Sequence, residues 1–335
     1  MNGRKWKPTS NIPVIAVAIV IAVFSARLSA NGDLDQVIQD LRDQFLSTLG
    51  PDRLGGAYAS IINFAVNPDI SAATYHIDAG NLDASDPELN VFRLPLRHVF
   101  DLDRRGWRPF VEADLAYQSY QFDFAAFDTE RIDTEWRTYG GTLAVGAEIP
   151  TSEELTLVPA VTLGLVHLEN DADYTGPLSN SLLKPALEGL VFDWDADAWL
   201  VGASLGVDYK RALRRFELNV HGSLSHNYIE TYDSSSGLLE FDSQATTFTV
   251  QAETVHPTTM TVGGYPLALV ASLGNTTFIG SNRDALGFEY FFEAGLAFEA
   301  DVSPKEWPVK KLRLGASAIY GPDVTGWSLI IGYRF

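Results

Sequence analysis

The chain has 335 residues and a formal net charge of −19, from 24 basic and 43 acidic residues. Nucleic acid is a poor partner for so acidic a chain, because phosphate binding requires basic patches. The sequence contains no cysteine, which excludes a disulfide framework and a thiolate metal site.

Residues 1–30 have the pattern of a secretory signal peptide. Arg4, Lys5 and Lys7 form a basic start, an apolar run of 13 residues follows, and small residues lead up to Ala30. A run this short does not span a bilayer comfortably as a helix. We therefore predict export with cleavage near Ala30; an uncleaved membrane anchor is the alternative.

The next segment, 31–54, predicts an amphipathic helix from Asp33 to Gly50. Asp33 can cap its start, and Gly50-Pro51 is expected to end it. At 1.5 Å per residue the helix is about 24 Å long. Its apolar face consists of Leu34, Val37, Ile38, Leu41, Phe45 and Leu49.

From residue 55 to the C-terminus, apolar and polar residues alternate with the period of two that is typical of strands. The alternation is clearest in Trp107–Phe122, Phe216–Tyr228 and Phe288–Asp301. One strand is expected within 55–79, and the closing strand ends the chain. With the remaining alternating segments these make twelve strands, or fourteen if a pair has been missed: 88–102, 134–149, 154–168, 197–210, 244–256, 260–273 and 309–321.

No segment after residue 30 approaches eighteen uninterrupted apolar residues. A membrane crossing therefore requires a closed barrel, which satisfies every backbone group without helices. The connections between the predicted strands, taken in order from the C-terminus, alternate between short ones such as PTSEE and longer ones such as Glu169 to Asp195. Short inner turns and longer outer loops are typical of outer-membrane barrels. The predicted fold class is all-β, a transmembrane antiparallel β-barrel of about 12 strands with a short N-terminal amphipathic helix.

The last ten residues, GWSLIIGYRF, have one apolar face. They are about as long as a tilted strand that crosses a bilayer. This segment resembles the closing strand of bacterial outer-membrane barrels, in which the tail is also the signal for the barrel-assembly machinery. The resemblance makes five residues a candidate assembly signal: Trp327, Leu329, Ile331, Tyr333 and Phe335.

Signal peptide, short helix, about twelve strands and a closing W-x-L-x-I-x-Y-x-F together resemble the solitary autotransporter-type outer-membrane barrel domains of proteobacteria. The resemblance covers residues 31–335. It implies a barrel at 55–335 in the outer membrane of a Gram-negative bacterium, in contact with membrane lipid and lipopolysaccharide, without a cofactor. Only residues 31–54 precede the predicted strands, so we expect no passenger domain and do not carry over the family's secretion activity.

The inward-facing positions of the predicted strands carry many charges, which are candidate pore-lining residues. In a porin, opposed acidic and basic clusters orient solutes. Twelve strands lie between the eight that side chains can fill and the sixteen that leave a channel, so a network of ion pairs is the preferred interpretation. The candidates are Arg93, Arg97, Glu112, Asp114, Glu217, His221, Glu289, Glu293, Glu299, Arg313 and Arg334.

Three inward positions near the C-terminus are apolar: Phe291, Ile319 and Ile330. We interpret them as a patch on which the apolar face of the N-terminal helix docks, so that the helix plugs the pore. The alternative is a helix at the periplasmic mouth or on the membrane interface.

His221-Gly222-Ser223 places a base and a nucleophile on one strand face, but that face is the polar one, and the sequence identifies no third, orienting group. Polar lining is the preferred interpretation, so we assign no catalytic residue. No metal-ligand spacing is present either. The predicted function is a structural or interaction barrel with restricted pore activity. A porin-like channel is the alternative, and an outer-membrane lipid hydrolase is the third candidate.

Overall fold

A computed structural model describes residues 34–66, 72–77, 87–100, 106–127, 129–236, 239–280, 288–303 and 310–334. The predicted signal peptide lies outside the described residues. Among the helices in these ranges, none is both long and apolar enough to cross a membrane.

Twelve antiparallel strands close into a barrel in which each strand pairs with its neighbours in sequence and the first pairs with the last. The predicted number of strands is therefore confirmed. The strands are β1 (Ala73–Ile77), β2 (Glu88–Val99), β3 (Arg108–Phe127), β4 (Glu130–Pro150), β5 (Leu155–Thr175), β6 (Trp194–Ala212), β7 (Glu217–Ser234), β8 (Asp242–Val262), β9 (Tyr265–Ile279), β10 (Tyr290–Asp301), β11 (Lys311–Tyr320) and β12 (Val324–Arg334).

The alternation in the sequence matches the two faces of the wall. Outward side chains such as Leu165 and Ile331 are 63% and 76% exposed, whereas inward Asp114 is 3% exposed. Alternate residues of a strand point to opposite faces, so this pattern leaves an apolar outer surface and a lumen face that is polar except near the loop end.

The connections define two ends of the barrel. We call the end with residues 151–154, 213–216 and 263–264 the turn end, and the end with residues 176–193 and 235–241 the loop end. β3 and β4 reach further towards the loop end than predicted, because most of the chain between the predicted strands Trp107–Phe122 and 134–149 is also paired strand. Arg131 stabilises this extension by ion pairs with Asp123 and Asp133.

The N-terminal helix is much longer than predicted. Helix α1 spans Leu34–Val66 and continues through Gly50-Pro51. The strand expected within 55–79 is β1, but it occupies only Ala73–Ile77, because the first part of that range is helical. Every residue from Tyr58 to Val66 is buried. A segment enclosed on all sides inside a barrel has no strand neighbour, and a helix satisfies its backbone groups internally.

Two further helical segments, Ser179–Leu183 and α2 (Lys184–Leu187), lie in the connection between β5 and β6. The segment 176–193 folds inward: Leu182, Leu187 and Phe192 are buried in the same apolar cluster as Tyr58 of α1. The core of the molecule is therefore inside the barrel, near the loop end.

Gly140 on β4 allows α1 to approach the wall closely. A Cβ atom at this position would lie 2.8 Å from Cγ1 of Val66 and 3.4 Å from Cγ2 of Val166.

We expect Gly140→Val to displace the end of α1 and to lower the free energy of unfolding by about 1–3 kcal/mol, measured by denaturant titration in detergent. Gly141→Ala is the control, since its Cβ would meet nothing closer than 3.8 Å; equal loss in both variants would contradict the prediction.

Candidate functional site

The lumen is the candidate functional site, and α1 occupies its loop-end half. Near the start of α1, Arg42 donates from Nη1 to the carbonyl oxygens of Pro185 at 3.0 Å and Glu188 at 3.4 Å, both in the loop-end segment 176–193. At the other end of the helix, Val66 packs over Gly140, midway along β4. The helix therefore runs from the loop end to the middle of the barrel.

An aromatic cluster holds the C-terminal part of α1 against the wall. The ring of Tyr58 lies 4.8 Å from Trp194, 5.3 Å from Trp136 and 5.8 Å from Phe241, measured between centroids. These separations are in the range in which aromatic pairs attract beyond their buried area. One side chain of α1 therefore contacts β4, the start of β6 and the residue just before β8.

A second cluster receives Phe64, one and a half turns further along α1. Its ring centroid lies 5.0 Å from Tyr75 on β1 and 5.7 Å from Phe278 on β9. Phe291 and Ile319, two of the predicted docking residues, are buried in this cluster. They meet the end of the helix, because α1 continues beyond the predicted stop.

The predicted apolar face of the helix lies elsewhere. Leu41 is buried, and Val37 and Ile38 pack against the cluster that contains Tyr58. Leu34 is exposed, and the side chains of Phe45 and Leu49 lie outside the described part of the structure. These residues and the patch at Phe291 and Ile319 therefore belong to different clusters, and Phe64 occupies that patch instead. The third patch residue, Ile330, is half-buried and faces Gly295 on the lumen wall.

Asn63 makes polar contacts between α1 and the wall. Its Nδ2 donates to Thr247 Oγ1 at 3.0 Å, and its Oδ1 accepts from Asn227 Nδ2 at 2.6 Å. All three residues are buried, and buried polar groups need such partners. Asn63 therefore fixes the rotation and depth of α1 relative to β7 and β8.

Charged residues line the turn-end half of the lumen, mostly as ion pairs between strands. Arg93 contacts Asp114 at 2.5 Å. Arg97 lies 3.7 Å from Glu112 and 2.9 Å from Glu148, which also pairs with Arg108 at 2.6 Å.

A second network crosses β8, β10 and β11. Arg313 lies 2.6 Å from Glu253 and 2.9 Å from Glu299, and Lys311 lies 2.6 Å from Glu299. The sequence analysis identified three basic and three acidic members of these networks. It missed Arg108, Glu148, Glu253 and Lys311, because partners across a sheet depend on register.

The remaining predicted lumen residues have varied surroundings. Glu217 is half-buried at the turn end of β7, and Glu289 is exposed just before β10. Glu293 accepts from the hydroxyl of Ser317. Arg334 pairs through its backbone with Lys311, but its side chain lies outside the described residues.

The predicted assembly residues lie on the outer face of β12 as far as they are described. Trp327, Leu329 and Ile331 are exposed there. The side chain of Tyr333 and the whole of Phe335 lie outside the described residues.

His221 has the orienting carboxylate that the sequence did not identify. Its Nδ1 lies 2.7 Å from Oδ1 of Asp208 on the neighbouring strand β6. Ser223 is buried two residues further along β7. His221 and Asp208 therefore form a dyad inside the lumen, with Ser223 on the same face of β7. Within the described ranges, no three His, Asp or Glu side chains are grouped as metal ligands.

Truncating Asn63 should loosen α1. In Asn63→Ala the buried amide of Asn227 and hydroxyl of Thr247 lose their partner, and we expect a loss of about 1–3 kcal/mol in unfolding free energy, measured by denaturant titration. Gln39→Ala, on the exposed part of the same helix, should change stability little. Similar losses in the two variants would show that Asn63 does not anchor the helix.

The surroundings of Asp193, at the end of segment 176–193, predict that the stability of the folded protein depends on pH. Its backbone has φ 56°, its Oδ1 accepts from the amide of Ala172 at 3.0 Å, and its Oδ2 is buried without a partner. Burial raises the pKa of this carboxyl above its ordinary value. The folded protein therefore holds the proton more tightly than the unfolded chain, and this group lowers stability as the pH rises from about 4 through the raised pKa.

Asp193→Asn keeps the carbonyl acceptor and tolerates the positive φ. We expect the variant to unfold at a higher temperature than the wild type at pH 7, with the difference vanishing near pH 3. Asp173→Asn removes the same charge from an exposed neighbour and is the control. A pH-independent difference would contradict the assignment.

Known proteins share this architecture. Residues 63–335 match the family model described as the solitary outer membrane autotransporter beta-barrel domain. No curated protein sequence matches the chain closely enough to be called a relative. The translocator domain of the autotransporter NalP from Neisseria meningitidis is 9% identical, with 78% of this chain and 85% of that chain covered and a TM-score of 0.50.

Two further autotransporter structures are similar. The beta domain of the Bordetella autotransporter Brka is 15% identical, over 78% of this chain and 95% of that chain, with a TM-score of 0.47. The transport unit of AIDA-I from Escherichia coli is 10% identical, over 85% and 99%, with a TM-score of 0.48. Likenesses at such low identity bear on the fold alone, whereas the family model covers most of the sequence. The chain belongs to the family of solitary outer-membrane autotransporter β-barrel domains.

Proposed function

We propose that this protein is a closed barrel with a structural or interaction role in the Gram-negative outer membrane, the location that its family implies. The observation that carries the proposal is the complete enclosure of Tyr58–Val66 of α1 by the wall and by segment 176–193. In this proposal α1 is a resident plug, held in place by the protein's own core packing.

The buried area favours a plug that stays in place. Tyr58, Ile62 and Phe64 are fully buried, and three such side chains contribute on the order of 5 kcal/mol. A free-energy difference of that size keeps an open form below about one molecule in a thousand. The hydrogen bonds of Asn63 add to this preference.

The arrangement of lumen charges favours the same conclusion. A diffusion channel would set acidic and basic clusters opposite one another across a constriction. Here Arg93 pairs with Asp114, and Arg313 with Glu299, on adjacent strands. In each pair the two opposite charges lie side by side, so they produce little electric field across the lumen. This supports a packed wall over a porin-like channel.

An interaction role would use the loop end. There the outer face of β4 and β5 carries Arg137 between Glu135 at 2.9 Å, Glu169 at 2.8 Å and Asp171 at 3.1 Å. The surface that this end offers to a partner is therefore rigid, charged and mostly acidic. Lipopolysaccharide and membrane lipid surround such a surface in the outer membrane.

Planar-bilayer recording tests the closed state. The intact protein should show no steady conductance, whereas Tyr58→Ala combined with Phe64→Ala should open intermittently because the helix loses both aromatic anchors. Gln39→Ala is the control and should stay closed. Steady conductance of the intact protein would overturn the proposal in favour of a diffusion channel.

Cysteine labelling gives an independent test, since the chain has no native cysteine. A maleimide that cannot cross the outer membrane should label Tyr232→Cys, at an exposed loop-end position, in intact cells. It should label Glu217→Cys, in the lumen near the turn end, only after the outer membrane is permeabilised. Labelling of Glu217→Cys in intact cells would mean an open path past α1.

A further inference from the structure

A small polar cavity lies in the lumen wall where β8, β9 and β10 meet. It has a volume of about 20 Å³, enough for one or two waters or a single bare ion. Five of the residues that line it carry oxygen-bearing side chains on the lumen face of their strands: Thr249, Gln251, Ser272, Thr276 and Glu293. Neither the plug nor the ion-pair networks use this cavity.

Glu293 is half-buried and differs from three other lumen carboxylates. Asp114, Glu253 and Glu299 each contact an arginine or a lysine. Within the part of the chain that the structure describes, the partner of Glu293 is the hydroxyl of Ser317, and no basic side chain lies within ion-pair distance. An ionised carboxylate that is shielded from water without a counter-charge is unfavourable. A cation bound beside Glu293 would offset this cost.

Thr249 gives a second, independent indication. Its Oγ1 is buried and has no hydrogen-bond partner, and the residue is 6% exposed. It lines the same cavity as Glu293. A buried hydroxyl left unsatisfied is uncommon, and a ligand in the cavity would satisfy it.

From these observations we propose that the cavity binds one monovalent alkali cation through the carboxylate of Glu293 and neutral oxygens that include Thr249 Oγ1. Hard cations prefer oxygen ligands. One carboxylate balances one positive charge, whereas the tighter sites for divalent ions use more carboxylates. A volume of about 20 Å³ is matched by a bare alkali ion rather than by choline.

The position of the site links it to the plug. Thr249 is two residues along β8 from Thr247, and the two side chains share the lumen face on which Asn63 of α1 binds. A cation at Glu293 would therefore lie just beyond the end of α1, between the apolar cluster and the ion pairs of the turn-end half.

The test is thermal unfolding of the full-length protein in detergent, with NaCl or KCl replacing choline chloride at constant ionic strength and pH 7. A ligand that binds only the folded state raises the unfolding temperature with its concentration. We expect a saturable rise of a few degrees with sodium or potassium and none with choline. Glu293→Gln should abolish the dependence, whereas Glu217→Gln, which removes a lumen charge away from the cavity, should retain it.

Thr249→Val is the second variant, and it keeps the carboxylate. It should weaken the apparent affinity by about fivefold or more, the effect of one lost contact to a charged group. If Glu293→Gln fails to fold, this variant alone decides. Identical curves in sodium, potassium and choline for the wild type would overturn the proposal and leave a cavity filled by water beside a protonated Glu293. Unchanged cation dependence in Glu293→Gln or Thr249→Val would also overturn it.

Discussion

Inside a bilayer no water is available to hydrogen-bond the backbone, so a sheet that crosses it must close on itself. In this chain closure depends on the pairing of β1 with β12, from Ala73 with Ser328 to Ile77 with Val324. Closing twelve strands creates an interior that wall side chains alone do not fill. The rest of the structure follows from how that interior is occupied.

The two halves of the lumen are filled by different means. Near the loop end, α1 and segment 176–193 bring apolar side chains into contact with tryptophan and phenylalanine of the wall. Near the turn end, ion pairs between strands balance the lumen charges: Arg313 on β11 pairs with Glu299 on the neighbouring β10 and with Glu253 on β8. The boundary lies at the end of α1, where Asn63 makes its polar contacts and where the cavity beside Glu293 begins.

The strands of the wall were predictable from sequence because the alternation of apolar and polar residues can be recognised without knowing how the strands pair. The helical plug was harder to predict. The segment AYASIINFAV fits a strand or a helix equally well as a short apolar run, and only its enclosure by the barrel decides for the helix. For that reason the sequence missed Tyr58, Asn63 and Phe64. Asp208, as the partner of His221, was missed because cross-strand neighbours depend on register, which alternation does not reveal.

The connection between α1 and β1 has a consequence for folding. Six residues separate Val66 from Ala73, and β1 pairs with the last strand of the chain. The helix therefore cannot take its final place independently of the seam, and the seam cannot form until β12 has been made. Contacts of such high sequence separation form slowly. Placement of α1 and closure of the sheet should therefore occur in one late, concerted step, in which the first strand of the barrel pairs only after the last strand has been made.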